Sequence, residues 1–330
     1  MSLPSFLYSQ IFVGLPVPDH DFTGQTIIIT GGSTGLGLEA ARHFLRLNAL
    51  HIVLGVRSME KGKAAKEDLE TSTNRPNTVR LEHIDMDRYD SVKAFASTIQ
   101  NTVPKVDVLL LNAGKIAEQF YLAEEDESTI TVNVVCTVLL GLLLLPKLRE
   151  SASPNGPIPR LCFVSSDRHV MTNLPEWKTE DTFAALRAQT DSGADDRYYA
   201  SKLLNVMMFR QLAEEIASST PRVVVNGFTP GYCATALIRE TQGFWGWQLY
   251  VMKLTIARTI EVGSRTLVHA ASLGWEGHGK YLNDCKIDEG ALSSFVRSEE
   301  GKQAQVKVWK ELLYKLERIS LGISGNLSGH

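Results

Sequence analysis

The chain has 330 residues, 44% of them hydrophobic, with a formal net charge of −3 and a pI near 6.3. That size and apolar content support one large α/β domain or two small ones, and the slightly acidic balance argues against a nucleic-acid partner. Four scattered cysteines (Cys136, Cys162, Cys233, Cys285) form no Cys-x-x-Cys, and the eight histidines show no ligand spacing. A disulfide framework and a metal site are therefore not expected, and a reducing, cytoplasmic setting is.

Residues 1–20 are mildly apolar, lack a basic leader and are interrupted by Pro16 and Pro18. They read as an extension packed on the domain surface rather than a signal peptide. Thr26-Ile27-Ile28-Ile29 is a β-branched strand, and a helical pattern follows over 38–45. Further strands are expected over 51–56, 79–84, 106–111, 161–164, 223–228 and 281–282. Helices are expected over 59–71, 90–101, 125–148, 197–218, 261–272 and 299–316. Asp90 is placed to cap the second of these. Strands alternating with longer helices are the pattern of a parallel sheet with crossover helices. Residues 167–196 break the rhythm as a polar insertion with one short helix, near 180–189. The segment 236–258 is rich in Trp, Phe and Leu and suggests an apolar lid over a substrate. The run from Val134 to Pro146 is too short to span a bilayer, so no transmembrane segment is expected. Residues 320–330 read as a disordered tail.

Between the first strand and helix stands Thr30-Gly31-Gly32-Ser33-Thr34-Gly35-Leu36-Gly37. Glycines at that junction let the backbone turn with positive φ and let a pyrophosphate approach a helix N-terminus. The spacing is neither Gly-x-Gly-x-x-Gly nor a P-loop. Nineteen residues after Gly37, where an acid would hold the ribose of NAD, stands Val56, followed by Arg57. A guanidinium there can clamp a 2′-phosphate and Lys61 can add a second cation, which favours NADP(H). Asp85, with Met86 beside it, and Asn112 end the third and fourth strands, on the edge where ligands bind open parallel sheets. Tyr198 and Lys202 are four apart and share a helix face. The lysine charge is expected to lower the phenol pKa and make Tyr198 a general acid. Tyr199 competes, but its partner four residues on is Leu203. Ser165-Ser166 ends the fifth strand, where a hydroxyl can polarise a carbonyl. Asn133 sits mid-helix, where Asn is unfavourable; it either kinks the helix to hold a relay water or is satisfied by nearby backbone.

In order along the chain, these motifs resemble the short-chain dehydrogenase/reductase family from about Asp21 to Leu282. The set is completed by Asn112-Ala113-Gly114 and by Pro230-Gly231 with Thr235. Segments such as Val56-Arg57-Ser58-Met59-Glu60-Lys61-Gly62 resemble its retinol-dehydrogenase-like branch and fungal reductases of specialised metabolism. The resemblance implies a single Rossmann-type α/β domain, a doubly wound parallel sheet with helices on both faces. It implies Tyr198 as acid/base, Lys202 on the nicotinamide ribose, Ser166 on the carbonyl and Asn133 in the relay. Gly31, Ser33, Thr34, Gly35, Leu36, Gly37, Ala113, Gly114, Pro230, Gly231 and Thr235 would line the cofactor. Ser166 and Tyr198 are 32 residues apart, more than the family's usual interval, because of the polar insertion, so Ser165 stays open as an alternative. Homo-oligomers through the long apolar helices are a family expectation. The expected activity is NADPH-dependent reduction of a ketone or aldehyde on a hydrophobic small molecule. Oxidation of a lipid-like alcohol and a non-redox NADP-binding scaffold or cyclase are the alternatives.

Overall fold

A computed structural model describes residues 3–117, 119–153, 156–188, 194–235 and 256–329. Strands β1 (Thr26–Thr30), β2 (His51–Val56), β3 (Val79–His83) and β4 (Val108–Leu111) alternate with helices α2 (Gly35–Arg46), α3 (Met59–Thr73) and α4 (Tyr89–Thr102), after a first helix α1 (Leu3–Phe12). A two-stranded hairpin, β5 (Leu122–Ala123) and β6 (Asp126–Glu127), leads into one apolar rod. It runs as α5 (Ser128–Ile130), a π-helical turn (Thr131–Cys136) and α6 (Thr137–Ser151). Then come β7 (Arg160–Val164), α7 (Thr182–Arg187), α8 (Ala194–Ile216) and β8 (Val224–Phe228). The chain closes with α9 (Ile260–Ser272), β9 (Tyr281–Asn283), β10 (Lys286–Ile287) and α10 (Glu299–Ile319).

The main sheet runs β10-β9-β8-β7-β4-β1-β2-β3, parallel except for the β9–β10 pair. The chain builds β1 to β3 outward, then returns to lay β4 on the other side of β1. The carboxyl ends of β1 and β4 thus flank the topological switch point, where doubly wound sheets bind ligands. The strands are nearly continuous apolar runs because both faces are covered. Ala40, Phe44, Leu69 and Leu267 pack α2, α3 and α9 on one face, while Val92, Leu139, Leu204 and Leu312 pack α4, α6, α8 and α10 on the other.

Several local expectations are corrected. The expected helix over 125–148 begins only at Ser128, because 126–127 pair as a strand with 122–123. Asp90 does not cap α4: Arg88 holds the cap position, and the Asp90 carboxylate pairs with Lys93 at 2.8 Å. The polar insertion holds α7 and two 3₁₀ turns, Asp167–Met171 and Pro175–Lys178, rather than one helix. The apolar rod Ser128–Ser151 has 24 residues, and its most apolar 18-residue window has a mean hydropathy of 2.2, long and apolar enough by those measures to cross a bilayer. It is 94% buried over its most apolar window, as a core helix is. The lid expected over 236–258 lies, from 236 to 255, outside the described residues.

The tail expected to be disordered folds back as a 3₁₀ turn, Ile323–Leu327. Ile323 is buried in the main core. The buried Arg149 guanidinium donates to the carbonyls of Asn326, Leu327 (2.8 Å) and Ser328 (3.2 Å), and Glu317 accepts from the Ser324 amide. A charged donor feeding three carbonyls is what an isolated tail sequence does not reveal. Replacing Arg149→Met should cost about 2–4 kcal/mol, because three acceptors lose a charged partner. Urea unfolding measures it, and an unchanged midpoint would show that the tail is held by packing alone.

Candidate active site

The glycine turn is built by backbone geometry and close approach. Gly31 and Gly35 have φ of +67° and +61°. A Cβ on Gly37 would lie 2.7 Å from both the Asn112 amide nitrogen and the Gly31 carbonyl oxygen. The Thr30 hydroxyl accepts from the Asn112 and Ala113 amides, both at 3.0 Å, and the Asn112 side chain donates to the Thr30 carbonyl at 2.9 Å. Through its amide nitrogen Asn112 thus holds the glycine turn. Asp85 is likewise engaged locally, its carboxylate accepting from the Asp87 amide at 3.1 Å, with the buried Met86 between them. Ser33, Thr34 and Leu36 lie in the turn and at the start of α2; the Thr34 side chain makes no capping bond there. A cradle that a side chain would fill, opening on a helix N-terminus, suits a dinucleotide pyrophosphate.

At the end of β2, Arg57 is 73% exposed, and its guanidinium lies 3.9 Å from the Asp87 carboxylate. Lys61 is exposed in the first turn of α3, which Ser58 caps by accepting from the Lys61 amide at 3.3 Å. Asp87 also takes Lys115 at 2.7 Å, so one carboxylate stands between two cations on this edge.

Ser165, Ser166, Tyr198 and Lys202 meet beyond the end of β7. The buried Ser165 hydroxyl donates to the Lys202 carbonyl at 3.2 Å, a bond to the backbone of α8. The Ser166 hydroxyl instead accepts from the Arg168 amide (3.2 Å), donates to Asp167 (3.1 Å) and has a side-chain hydrogen bond with Tyr198. Of the two serines, Ser166 faces the phenol. The Lys202 ammonium donates to the Val164 carbonyl at 3.0 Å and lies 5.7 Å from the Tyr198 ring centre.

The expected lowering of the Tyr198 pKa by Lys202 is not found. Burial pushes the phenol up to about 12; the Ser166 bond and the Arg168 charge pull the other way without overcoming it. Burial also brings Lys202 down to about 8. Both shifts have one cause: a dry site disfavours each charged form.

Asn133 lies in the π-helical turn, a feature that widens a helix and concentrates at functional sites. Its carboxamide accepts from the Lys115 amide (2.9 Å) and donates to the Lys115 carbonyl (2.9 Å) and the Ser201 hydroxyl (3.0 Å). Ser201 in turn donates to the Tyr198 carbonyl at 2.7 Å. Of the two sequence readings, the side chain satisfied by neighbours is the one described, and it ties the loop after Gly114 to the helix bearing Tyr198. Gly231 takes φ of +74°, and Pro230 accepts from Arg258 at 3.3 Å. Thr235 donates its amide to the Cys233 carbonyl at 2.7 Å. Among the described residues no group of three His, Cys, Asp or Glu side chains could hold a metal.

A family profile for the short chain dehydrogenases matches residues 25–172. The short-chain dehydrogenase anuD of Penicillium roqueforti is 48% identical over 99% of this chain and 87% of its own length. The chain belongs to the short-chain dehydrogenase/reductase family. It is therefore an oxidoreductase acting on CH–OH or carbonyl groups of small molecules. Among solved structures, a protein from Mycobacterium paratuberculosis is similar at a TM-score of 0.66 and 22% identity, over 93% of this chain and 97% of its own. The Pseudomonas aeruginosa RhlG/NADP active-site complex is similar at 0.59 and 20% identity, over 80% and 96%. At those identities the likeness is one of fold.

Residues outside the sequence motifs complete this dehydrogenase site. His169, fully buried, hydrogen-bonds the Ser166 carbonyl through Nδ1 (2.7 Å) and accepts from the Ser293 amide at Nε2 (3.2 Å), so Nδ1 carries the proton. Arg258, also buried, donates to Asp284 (2.6 Å), to the Ser9 carbonyl and hydroxyl of α1, and to Pro230. Its place three residues after Ser166 was the one sequence signal for His169; Arg258 and Ser9 gave none, being 249 residues apart. Burial lowers the His169 pKa from 6.5 to about 4. Between those values the unfolded chain binds a proton that the folded chain refuses. The stability due to neutral His169 is thus complete above pH 6.5 and is lost as pH falls through 4, about 3 kcal/mol in all. Urea titrations from pH 7 to 4 should show His169→Gln less stable at pH 7 and flatter across that window. A pH slope as steep as in the parent would assign the titration to another group.

Proposed function

We propose that this short-chain dehydrogenase reduces a ketone or aldehyde on a hydrophobic small molecule with NADPH, in the biosynthesis of a specialised metabolite. The observation that carries the reading is the convergence of Ser166, Tyr198 and Lys202 beside the switch-point crevice. When bound, NADPH supplies the hydride. The glycine turn and the first turn of α2 would hold its pyrophosphate, and Arg57, with Lys61, its 2′-phosphate; no acid at Val56 opposes that charge. The NADP of the RhlG complex, a protein of the same fold, supports the cofactor class.

The Ser166 hydroxyl positions the substrate oxygen. Tyr198 donates its phenolic proton to that oxygen as negative charge develops on it. A buried phenol held at about 12 stays protonated at neutral pH, the form that a reduction consumes. The Lys202 ammonium, fixed on the Val164 carbonyl, stands over the same ring. Asn133 acts through Lys115 and Ser201, fixing the two segments that carry the crevice wall and the acid. The retinol-dehydrogenase-like motifs fit a lipophilic substrate.

Aryl ketones and aldehydes supplied with C4-deuterated NADPH should yield alcohols with one deuterium on the carbinol carbon. Tyr198→Phe should lower kcat by about 10²- to 10⁴-fold while leaving NADPH binding intact. Parent-like turnover by a folded Tyr198→Phe protein would reject the assigned acid.

A further inference from the structure

The 3₁₀ turn that follows Ser166 puts a second cation at the mouth of the site. The Arg168 amide is fixed on the Ser166 hydroxyl, so the residue has little freedom to leave. Its guanidinium lies 6.0 Å from the ring centre of Phe6, on α1. Among the described residues, no carboxylate oxygen comes within 4 Å of it. The neighbouring Asp167 carboxylate takes the Ser166 hydroxyl at 3.1 Å. Among the described residues this half-buried guanidinium thus remains available to an anionic partner.

The surroundings say where that partner would sit. Burial raises both Tyr198 and Tyr232, and Arg168 works against both shifts, so its charge is felt at the catalytic phenol and at the aromatic residue after Gly231. Helix α1 is anchored over the same loops: Ser9 is held by Arg258 and Asp284, and the Gln10 carboxamide occupies the place that a Cβ on Gly231 would take. Phe6 and Gln10 thus bracket Arg168 and Gly231 from the N-terminal side, outside the segment matched by the family profile.

We propose that Arg168, packed on Phe6, is a specificity residue that binds an anionic oxygen, a carboxylate or an ionised phenol, on the hydrophobic carbonyl substrate. A guanidinium forms two parallel hydrogen bonds with a carboxylate and stacks on an aromatic ring with its face. An aromatic substrate carrying an acidic oxygen meets both preferences, with the reacting carbonyl directed to Ser166 and Tyr198. The proposal rests on the reading of this crevice as a carbonyl-reductase site.

The test uses the full-length protein with NADPH and two matched pairs of probes: 6-acetyl-2-naphthoate with its methyl ester, and 6-acetyl-2-naphthol with its methyl ether. Binding is read by calorimetry, independently of turnover, at a pH that ionises the acid. The parent should prefer the acid of at least one pair over its capped form by about tenfold, and the pair that shows it identifies the carboxylate or the phenol. Arg168→Gln should bring that ratio to within about twofold without altering NADPH affinity, and Arg168→Lys should keep part of it. No preference in the parent, or a preference unchanged in Arg168→Gln, overturns the proposal. Absent NADPH binding by the parent would instead defeat the reductase reading and leave the acid-to-ester ratio standing as its own result.

Discussion

The Thr30 hydroxyl, buried between two strand ends, is the contact on which the site depends. It accepts from the Asn112 and Ala113 amides while Asn112 returns a bond to the Thr30 carbonyl. Strands β1 and β4 diverge into different loops at this point, and nothing in the β-ladder fixes them beyond it. Because Thr30 is buried, losing its hydroxyl would leave the two amides without their shared acceptor. The glycine turn on one side and the Asn112–Gly114 wall on the other are therefore set by one side chain each. The next layer repeats the device. Asn133 grips Lys115 just past Gly114 and passes the constraint through Ser201 to the backbone of Tyr198.

Dryness decides the electrostatics. Burial is the largest cause lifting Tyr198, with Asp167 adding to it, and the sole cause lowering Lys202, in each case toward the neutral form. The same effect keeps His169 uncharged behind Ser166. A site tuned this way holds a proton ready on oxygen rather than a phenolate ready to abstract one. The cation that offsets burial at Tyr198 is Arg168, from the turn after Ser166, rather than the lysine one helical turn away. Lys202 has its ammonium directed at a backbone carbonyl, which fixes its place beside the ring without neutralising it.

Much of this was legible in the sequence, for identifiable reasons. Apolar β-branched runs at regular intervals gave the parallel strands, and Gly31, Gly35 and Gly37 gave the turn because few other residues fit there. The Tyr198–Lys202 spacing gave their shared helix face. What failed was long-range or environmental. That Asn112 is tied to Thr30 across the sheet, 82 residues away, has no sequence signal. The tail looks disordered until Arg149 is seen beneath it, 177 residues from Asn326. The direction of the Tyr198 shift depends on how deeply the ring is buried, which spacing along a helix does not report. The spacing reports the lysine charge and not the desolvation that opposes it.

The central proposal is that the glycine turn and the end of β2 form one NADPH site, with Arg57 next to Val56, the position where an NAD enzyme keeps an acid. Calorimetric titration of the full-length protein with NADPH and NADH tests it most directly, since no substrate need be known. The account predicts that NADPH binds at least about tenfold tighter than NADH, and that Arg57→Ala removes most of that difference by weakening NADPH alone. Equal affinity for the two cofactors in the parent protein, or equal losses in Arg57→Ala, would contradict it.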